Sequence, residues 1–301
     1  MIPSALLDLL RGDDQRVHRK PLPARTSFAI DLVHIGEGNA RFVLKRYEET
    51  RLHREDAIAQ GLREIEVYRR VLDHERLGTA RYCGHLDDPG QRCWLLLEYV
   101  EGEQLQRGES AVREQAARWL ALLQASARPH GLPEHDAGFF RGTALRAVAA
   151  VECRHGDEGR RLRKVVESLD PVIELWLEQP RTVVHGSFRA ENLLIDKRHE
   201  PPRICPIDWE HAALGSPLYD LAFLSCNHSR NKVRRLCEAY LDAARGLGLP
   251  TMGIEDVVTS VRSFWLFKHL RSLCRCVEWN FRDESTRGLV TLVEELRHDL
   301  R

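Results

Sequence analysis

The sequence predicts an α+β protein of two lobes, with a β-rich first lobe and a mainly helical second lobe. Three observations lead there. Up to about residue 100 the apolar residues fall in short runs rich in β-formers and broken by turn residues, and beyond it they recur at helical spacing. The helical region is interrupted once, over residues 181–210, by short apolar strands with polar residues concentrated between them. The expected domains are therefore 1–100 and 101–301, with the site in the interruption and its partners in the first lobe.

Composition narrows the class. Hydrophobic residues make up 43% of the 301 and charged residues 30%, enough to bury a core. Lys plus Arg (45) equals Asp plus Glu (45), which removes the basic field of a non-specific nucleic-acid binder. The longest apolar runs, Trp94–Leu97 and Leu289–Val293, fall far short of the ~20 residues of a membrane span. Neither a nucleic-acid nor a membrane partner is expected. Residues 1–10 lack the basic start of a secretory signal, and the eight cysteines are scattered through apolar segments, as in a reducing cytoplasm. Cys274 and Cys276 are the one close pair, on a segment that reads as helix and so faces them apart.

In chain order, Phe28–Ile35, Arg41–Tyr47 and Arg92–Val100 read as strands of an antiparallel sheet, with Gly36–Asn39 as the first turn. Ile58, Leu62, Ile65, Tyr68 and Leu72 mark the lobe's single helix, closing near Asp73-His74. Ser110 then caps a helix carrying Val112, Ala116, Trp119, Leu120 and Leu123. Further helices are expected at about 143–153, 159–177, 216–245, 255–277 and 287–299. Thr182–Val184, Leu193–Ile195 and Arg203–Ile207 are the buried strands of the interruption. Trp265, Phe267 and Trp279 read as core, and Arg160–Lys164 as a solvated helix face.

Asn192 stands just before one of these strands and Asp208 just after the next. A carbonyl oxygen and a carboxylate side by side are hard ligands of the kind Mg²⁺ prefers while bridging phosphates. The plain alternative is a polar turn after each strand. Lys45 closes the apolar run Phe42-Val43-Leu44 and so carries a cation into a core strand, where Glu64 on the lone helix offers the counter-charge. An ordinary surface ion pair is the alternative there.

At this point the sequence resembles the aminoglycoside phosphotransferase and choline kinase-like family of the protein-kinase-like fold, over nearly its whole length. That family's loop of His-Gly-Asp, four variable residues and Asn is matched by His185, Gly186 and Asn192. Its Ile-Asp-Trp/Phe-Glu is matched by Ile207-Asp208-Trp209-Glu210, and its Gly-x-Pro-x-x-Asp-Leu-Ala by Gly215 to Ala222. The resemblance implies a kinase-like fold with ATP and Mg²⁺ as cofactors, Asn192 and Asp208 on the metal, Lys45 on the α- and β-phosphates and Glu64 orienting it. It further implies a hinge at Glu98-Tyr99-Val100 whose backbone bonds adenine, and transfer of the γ-phosphoryl group to a hydroxyl of an aminoglycoside-, choline- or sugar-like small molecule.

Three departures stand out. Where the family has its catalytic Asp, this chain has Ser187, which is no base at neutral pH. The loop expected over the nucleotide, Leu22–Ser27, contains no glycine, leaving Arg25, Thr26 and Ser27 as side-chain donors to phosphate. Leu123-Gln124 replaces a Leu-His pair and reads as a packing change. Loss of a base, worth roughly 10²–10⁴ in rate, is damaging without being decisive where positioning and charge neutralisation dominate. Arg189, two residues after the base position, is placed to neutralise transferring charge, and Glu191, Glu210 and His211 are candidates for a relocated base. His185 and Asp220 read as structural supports of the loop. The expectation is an active phosphotransferase. A nucleotide-binding pseudokinase is the alternative, and transfer of AMP a remote third.

Overall fold

The computed structural model describes residues 17–22, 28–35, 40–50, 54–88, 92–106 and 108–300. They form two compact units, one rich in strands and one in helices, in the class the sequence predicts. The first unit runs to Glu109 and also takes in Ser126–Leu132 and Ala190–Ala212; the second comprises Ser110–Ala125, Pro133–Arg189 and Ala213 onward.

In the first unit, strands β1 (Val17–Pro21), β2 (Phe28–Ile35), β3 (Arg41–Thr50), β4 (Tyr82–Asp88) and β5 (Arg92–Glu98) form an antiparallel sheet in the order β1-β2-β3-β5-β4. The two strands that the sequence did not announce, β1 and β4, are its edges. β1 reads Val-His-Arg-Lys-Pro and is mostly exposed, so no apolar alternation marks it. Along β3 the pleat sends Leu44 into an apolar cluster with Val33, Leu86, Trp94 and Leu96, and sends Lys45 and Tyr47 to the opposite face.

Helix α1 (Arg54–Glu66) packs on that face and continues as a π-helical turn, Val67–Val71. The helix expected to run to residue 72 therefore ends in two pieces. Leu72 is extended, and Asp73 opens a further short helix, α2 (His74–Leu77), its side chain accepting the Arg76 N–H at 3.2 Å. β6 (Glu103–Gln104) pairs with β8 (Leu193–Asp196), and β8 with β9 (Arg203–Pro206). This ladder is why 190–212 belongs to the first unit, whereas the sequence alone marks one boundary near residue 100.

The second unit contains α3 (Ser110–Ser126), α4 (Ala137–Glu152), α5 (Gly156–Glu167), α6 (Asp170–Leu177), α7 (Leu218–Ser225), α8 (Arg230–Gly246), α9 (Ile254–Cys274) and α10 (Asp283–His298). Strands β7 (Thr182–Val184) and β10 (Ala213–Gly215) pair antiparallel. Two stretches expected as single helices are broken. Pro171 restarts the first as α6, since proline favours a helix's first turn and disfavours its interior. The second breaks between α7 and α8, where Asn227 takes a φ of 66°.

Phe140, Trp176, Phe264 and Phe267 pack together in the core, Trp176 stacked on Phe264 and Phe140 edge-on to Phe267, and Trp176 Nε1 donates to Ser263 Oγ at 2.8 Å. Trp279 does not join them: α9 stops at Cys274, the helical phase is lost, and the indole is 49% exposed. The eight cysteines are free. No helix among the described residues is long and apolar enough to cross a membrane.

His269 lies buried on α9 with Nδ1 unpartnered and Nε2 3.6 Å from Cys226 Sγ. Burial, aided by the Lys268 charge, pushes its imidazole down to about 4. The fold therefore holds it neutral where the unfolded chain protonates, so stability is lost as pH falls from about 6.5 towards 4, by at most about 3 kcal/mol. Urea midpoints across that window should drop in the parent and drop less in His269→Gln; equal slopes for the two would count against this assignment.

Candidate active site

Strand alternation puts Lys45 and Tyr47 on the face that α1 covers, and Gly61 allows the close approach. A Cβ at Gly61 would lie 2.4 Å from Tyr47 Cγ, so the helix tolerates a glycine in its interior for the sake of that ring. Three residues on, Glu64 meets the same face. Lys45 Nζ donates to Glu64 Oε2 at 2.7 Å and to Asp208 Oδ1 at 2.8 Å, and lies 3.6 Å from Glu210 Oε2. The Tyr47 hydroxyl also donates to Glu64 Oε2, at 2.8 Å, and the Trp209 N–H reaches Glu64 Oε1 at 3.2 Å. Both oxygens of Glu64 are thus committed.

Asp208 and Glu210 arrive from the segment leaving β9. In the β8–β9 hairpin Leu193 pairs with Pro206, and the Ile207 N–H donates to the Asn192 carbonyl at 2.9 Å. Asn192, which ends the 3₁₀ turn Ala190–Asn192, therefore sits at the hairpin end from which Asp208 departs. Asp208 has a φ of 64°, a left-handed conformation that aspartate tolerates better than most side chains. Arg63 Nη1 fixes the next stretch by donating to the Glu210 carbonyl at 3.0 Å.

The site's electrostatics follow from burial. Burial alone would lower the Lys45 ammonium, but Asp208, Glu64 and Glu210 outweigh it and hold the pKa well above its usual value. Glu210 is affected in the opposite sense to most carboxylates. Burial, only partly offset by Lys45 and reinforced by Asp208 and Glu64, pushes it up to about 7. Its Oε2 is buried with no hydrogen-bond partner. Oxygens of Glu64, Asp208 and Glu210 all lie within 4.8 Å of one another, so three carboxylates crowd one ammonium. Such a hard-oxygen set with an orphaned acceptor fits a small divalent cation, and among the described residues it is the one such cluster of His, Cys, Asp or Glu.

Of the residues singled out from the sequence, Lys45, Glu64 and Asp208 come together, with Asn192 at the hairpin end. Arg25, Thr26 and Ser27 lie outside the described residues. Glu98 turns its carboxylate to Arg203 Nη1 (3.1 Å) and the Arg81 N–H (3.0 Å), which ties β5 to β9. Val100 is buried and its carbonyl accepts the Gly102 N–H at 2.9 Å. Ser187 and Arg189 belong to the second unit. There Asp220, on α7, accepts the N–H groups of His185 and Gly186 (3.0 Å for Gly186), and His185 Nδ1 accepts the Ser187 N–H at 3.2 Å. His185 and Asp220 brace the loop in this way. Ser187 is buried and Arg189 exposed, the Arg189 N–H donating to the Ser187 carbonyl at 2.9 Å. Gln124 donates to the Pro217 carbonyl at 3.0 Å and accepts from Tyr240 at 2.7 Å, a packing role.

Two residues went unnoticed in the sequence. Tyr47 was detectable, since it stands two positions from Lys45 on the same strand face. Arg271 was not: it donates to the Gly186 carbonyl and to the Tyr219 hydroxyl (2.8 Å) from a helix more than eighty residues downstream.

Comparison with known proteins adds the following. Residues 19–253 match the model of a family described as the phosphotransferase enzyme family. No curated protein matches the sequence. Solved structures similar to this chain include the GDP complex of aminoglycoside 2'-phosphotransferase-IIIa (16% identity, TM-score 0.65, covering 98% of this chain and 98% of that one). A microcompartment-associated aminopropanol kinase is similar at 18% identity (TM-score 0.64, 98% and 94%). The choline kinase of Cryptosporidium parvum is similar at 13% (TM-score 0.65, 99% and 96%). At these identities the likeness is one of fold.

Proposed function

The chain belongs to the phosphotransferase enzyme family, and from that premise we propose that it transfers the γ-phosphoryl group of ATP, with Mg²⁺, to a hydroxyl of a small molecule. The observation that carries this reading is the buried Lys45 ammonium facing Glu64, Asp208 and Glu210 at the end of the β8–β9 hairpin. A structural ion pair needs one carboxylate. Three are an arrangement that gains from a second, divalent cation and the phosphates it brings.

In this reading Asp208 and Asn192, with Glu210 beside them, hold Mg²⁺, which supplies neutralisation of phosphate charge. Glu64, with both oxygens occupied, positions Lys45, and Lys45 contacts the nucleotide phosphates. The backbone at Glu98 and Val100 offers adenine its hydrogen bonds, and Arg25, Thr26 and Ser27 donate to phosphate in place of a glycine-rich loop. Ser187 aligns the acceptor hydroxyl without removing its proton, which passes late, in a loose transition state, to an oxygen of the phosphoryl group being transferred as the bond to ADP breaks. Arg189 neutralises charge on the group in transit.

Single-turnover ATP consumption against a panel of hydroxylated metabolites, with Asp208→Ala as the blank, tests the proposal. Arg189→Ala is expected to lower kcat by ~10²-fold, the scale of one preorganised transition-state donor, with little change in nucleotide affinity. Ser187→Asp should not raise the rate, because the new carboxylate repels the γ-phosphate and draws on Arg189. Tight Mg·ATP binding with no turnover on any acceptor would replace the enzyme by a nucleotide-binding regulatory module. Turnover unaffected by Arg189→Ala would remove the arginine from the mechanism and leave the transfer standing.

A further inference from the structure

Helix α9 carries no Asp or Glu after its first turn, and the next carboxylate in the chain is Glu278. Lys268 and Arg271 stand three residues apart on it and so on one face, and Arg275 follows just past its end. Arg271 fixes where that face lies, because its Nη1 donates to the Gly186 carbonyl, inside the His185–Arg189 loop, and to Tyr219. Its guanidinium stands over the Phe223 ring at 5.4 Å. Both hydrogen-bond partners are neutral. Nε and Nη2 donate to none of the described residues, and neither Arg271 nor Lys268 has an ion-pair partner among them.

Neighbouring elements add to the same sign. Cys274 Sγ donates to the Thr143 carbonyl at 3.2 Å, joining the end of α9 to α4, and the charges acting on that thiol are Arg146, Arg271 and Arg275. One turn before Arg271, Lys268 reaches Cys226, just past α7. Lys268, Arg271 and Arg275 are half-buried and Arg146 is exposed, so all four remain accessible. The carboxylate that faces Arg271 electrostatically is Asp220 on α7, which is 1% exposed, committed to the backbone N–H groups of the loop and closed to a ligand. An acceptor presenting its hydroxyl at Ser187 therefore lies beside the Arg271 guanidinium, with Lys268 one turn away on the same helix.

We propose that the acceptor is an alcohol bearing an oxyanion, a carboxylate or a phosphate, held by Lys268 and Arg271. The inference rests on the phosphotransfer reading and narrows it, since an acceptor with several ammonium groups is repelled by this face and an oxyanion is drawn to it and oriented by the guanidinium fork. Arg271 both braces the loop and offers its free edge; Lys268 bonds Cys226 rather than the loop and is the cleaner probe.

Glycerol, D-glycerate and glycerol 3-phosphate present similar hydroxyls with different charge and, beside choline and kanamycin, make the panel, assayed for Mg·ATP-dependent phosphorylation at one ionic strength. Each is also titrated by calorimetry without nucleotide into the full chain and into Lys268→Ala and Lys268→Glu. An anionic member should exceed glycerol, choline and kanamycin in kcat/KM by at least ~10-fold, and Lys268→Glu should raise its KM by ~10-fold with kcat within about threefold. Which of the two anionic arms responds identifies carboxylate or phosphate. Preference for choline or kanamycin that Lys268→Glu leaves unchanged overturns the inference while the phosphotransfer reading stands. If nothing is phosphorylated, that reading fails separately: Lys268-dependent binding of glycerate or glycerol 3-phosphate would still support an oxyanion site, and no binding of either would end it.

Discussion

Asp208→Ala is expected to abolish the metal dependence of nucleotide binding and to lower kcat by at least ~10³-fold, with the fold intact. The substitution removes the carboxylate that is 20% exposed and reachable by a ligand, unlike Glu64, which is sealed at 1%. It also leaves Lys45 with two carboxylates instead of three, so the nucleotide-free protein loses a repulsion along with an ion pair and its melting temperature should move little. Calorimetry of ATP with excess Mg²⁺ and again with EDTA separates the two contributions. The parent should bind only with metal, the variant weakly in both. Equal affinity of parent and variant for Mg·ATP, with an unchanged metal requirement, would place the cation elsewhere.

Much of this site was legible because its chemistry is local in sequence. Asn192 and Asp208 bracket a four-residue strand pair closed by a short hairpin, so their juxtaposition follows from strand ends alone. Lys45 and Glu64 were legible as a charge in an apolar run and its counter-charge on the next helix. What could not be read was the degree of crowding: that Glu210 also turns to Lys45 depends on the left-handed turn at Asp208 and on Arg63 gripping the Glu210 carbonyl, and neither leaves a pattern. In the fold, the central strands β2, β3 and β5 were visible because each holds a run of apolar β-formers, while the edge strands were missed because β1 is mostly exposed and polar and β4 alternates too briefly around Gly84 and His85. The long helical stretches were overextended, since hydrophobic period persists across a break of two or three residues when both pieces face one core. Arg271 marks the limit: a basic residue on an amphipathic helix has no sequence feature saying that it will bond a loop carbonyl.

Lys45→Ala is the substitution in which burial changes the expectation most. Read from sequence, Lys45 contacts phosphate and its loss touches binding alone; in the structure it is 3% exposed and bonded to both Glu64 and Asp208. Removing it strands Glu64 at 1% exposure, with the Tyr47 hydroxyl and the Trp209 N–H, among the described residues, to stabilise its charge. Breaking a buried pair from one side costs about 3–5 kcal/mol, which for a unit of this size lowers the melting temperature by roughly 6–20 °C. The loss should be partly recovered in Lys45→Met with Glu64→Gln, where the sealed Glu64 charge is gone and only Asp208 and Glu210 have lost their cation, although neither variant should bind ATP productively. Mg²⁺ without nucleotide should raise the melting temperature of Lys45→Ala more than that of the parent, because the metal then meets three carboxylates with no competing ammonium. A Lys45→Ala protein that melts with the parent, in the presence and absence of Mg²⁺, would mean that these carboxylates are hydrated and that the crowded cluster at the head of β3 does not form in solution.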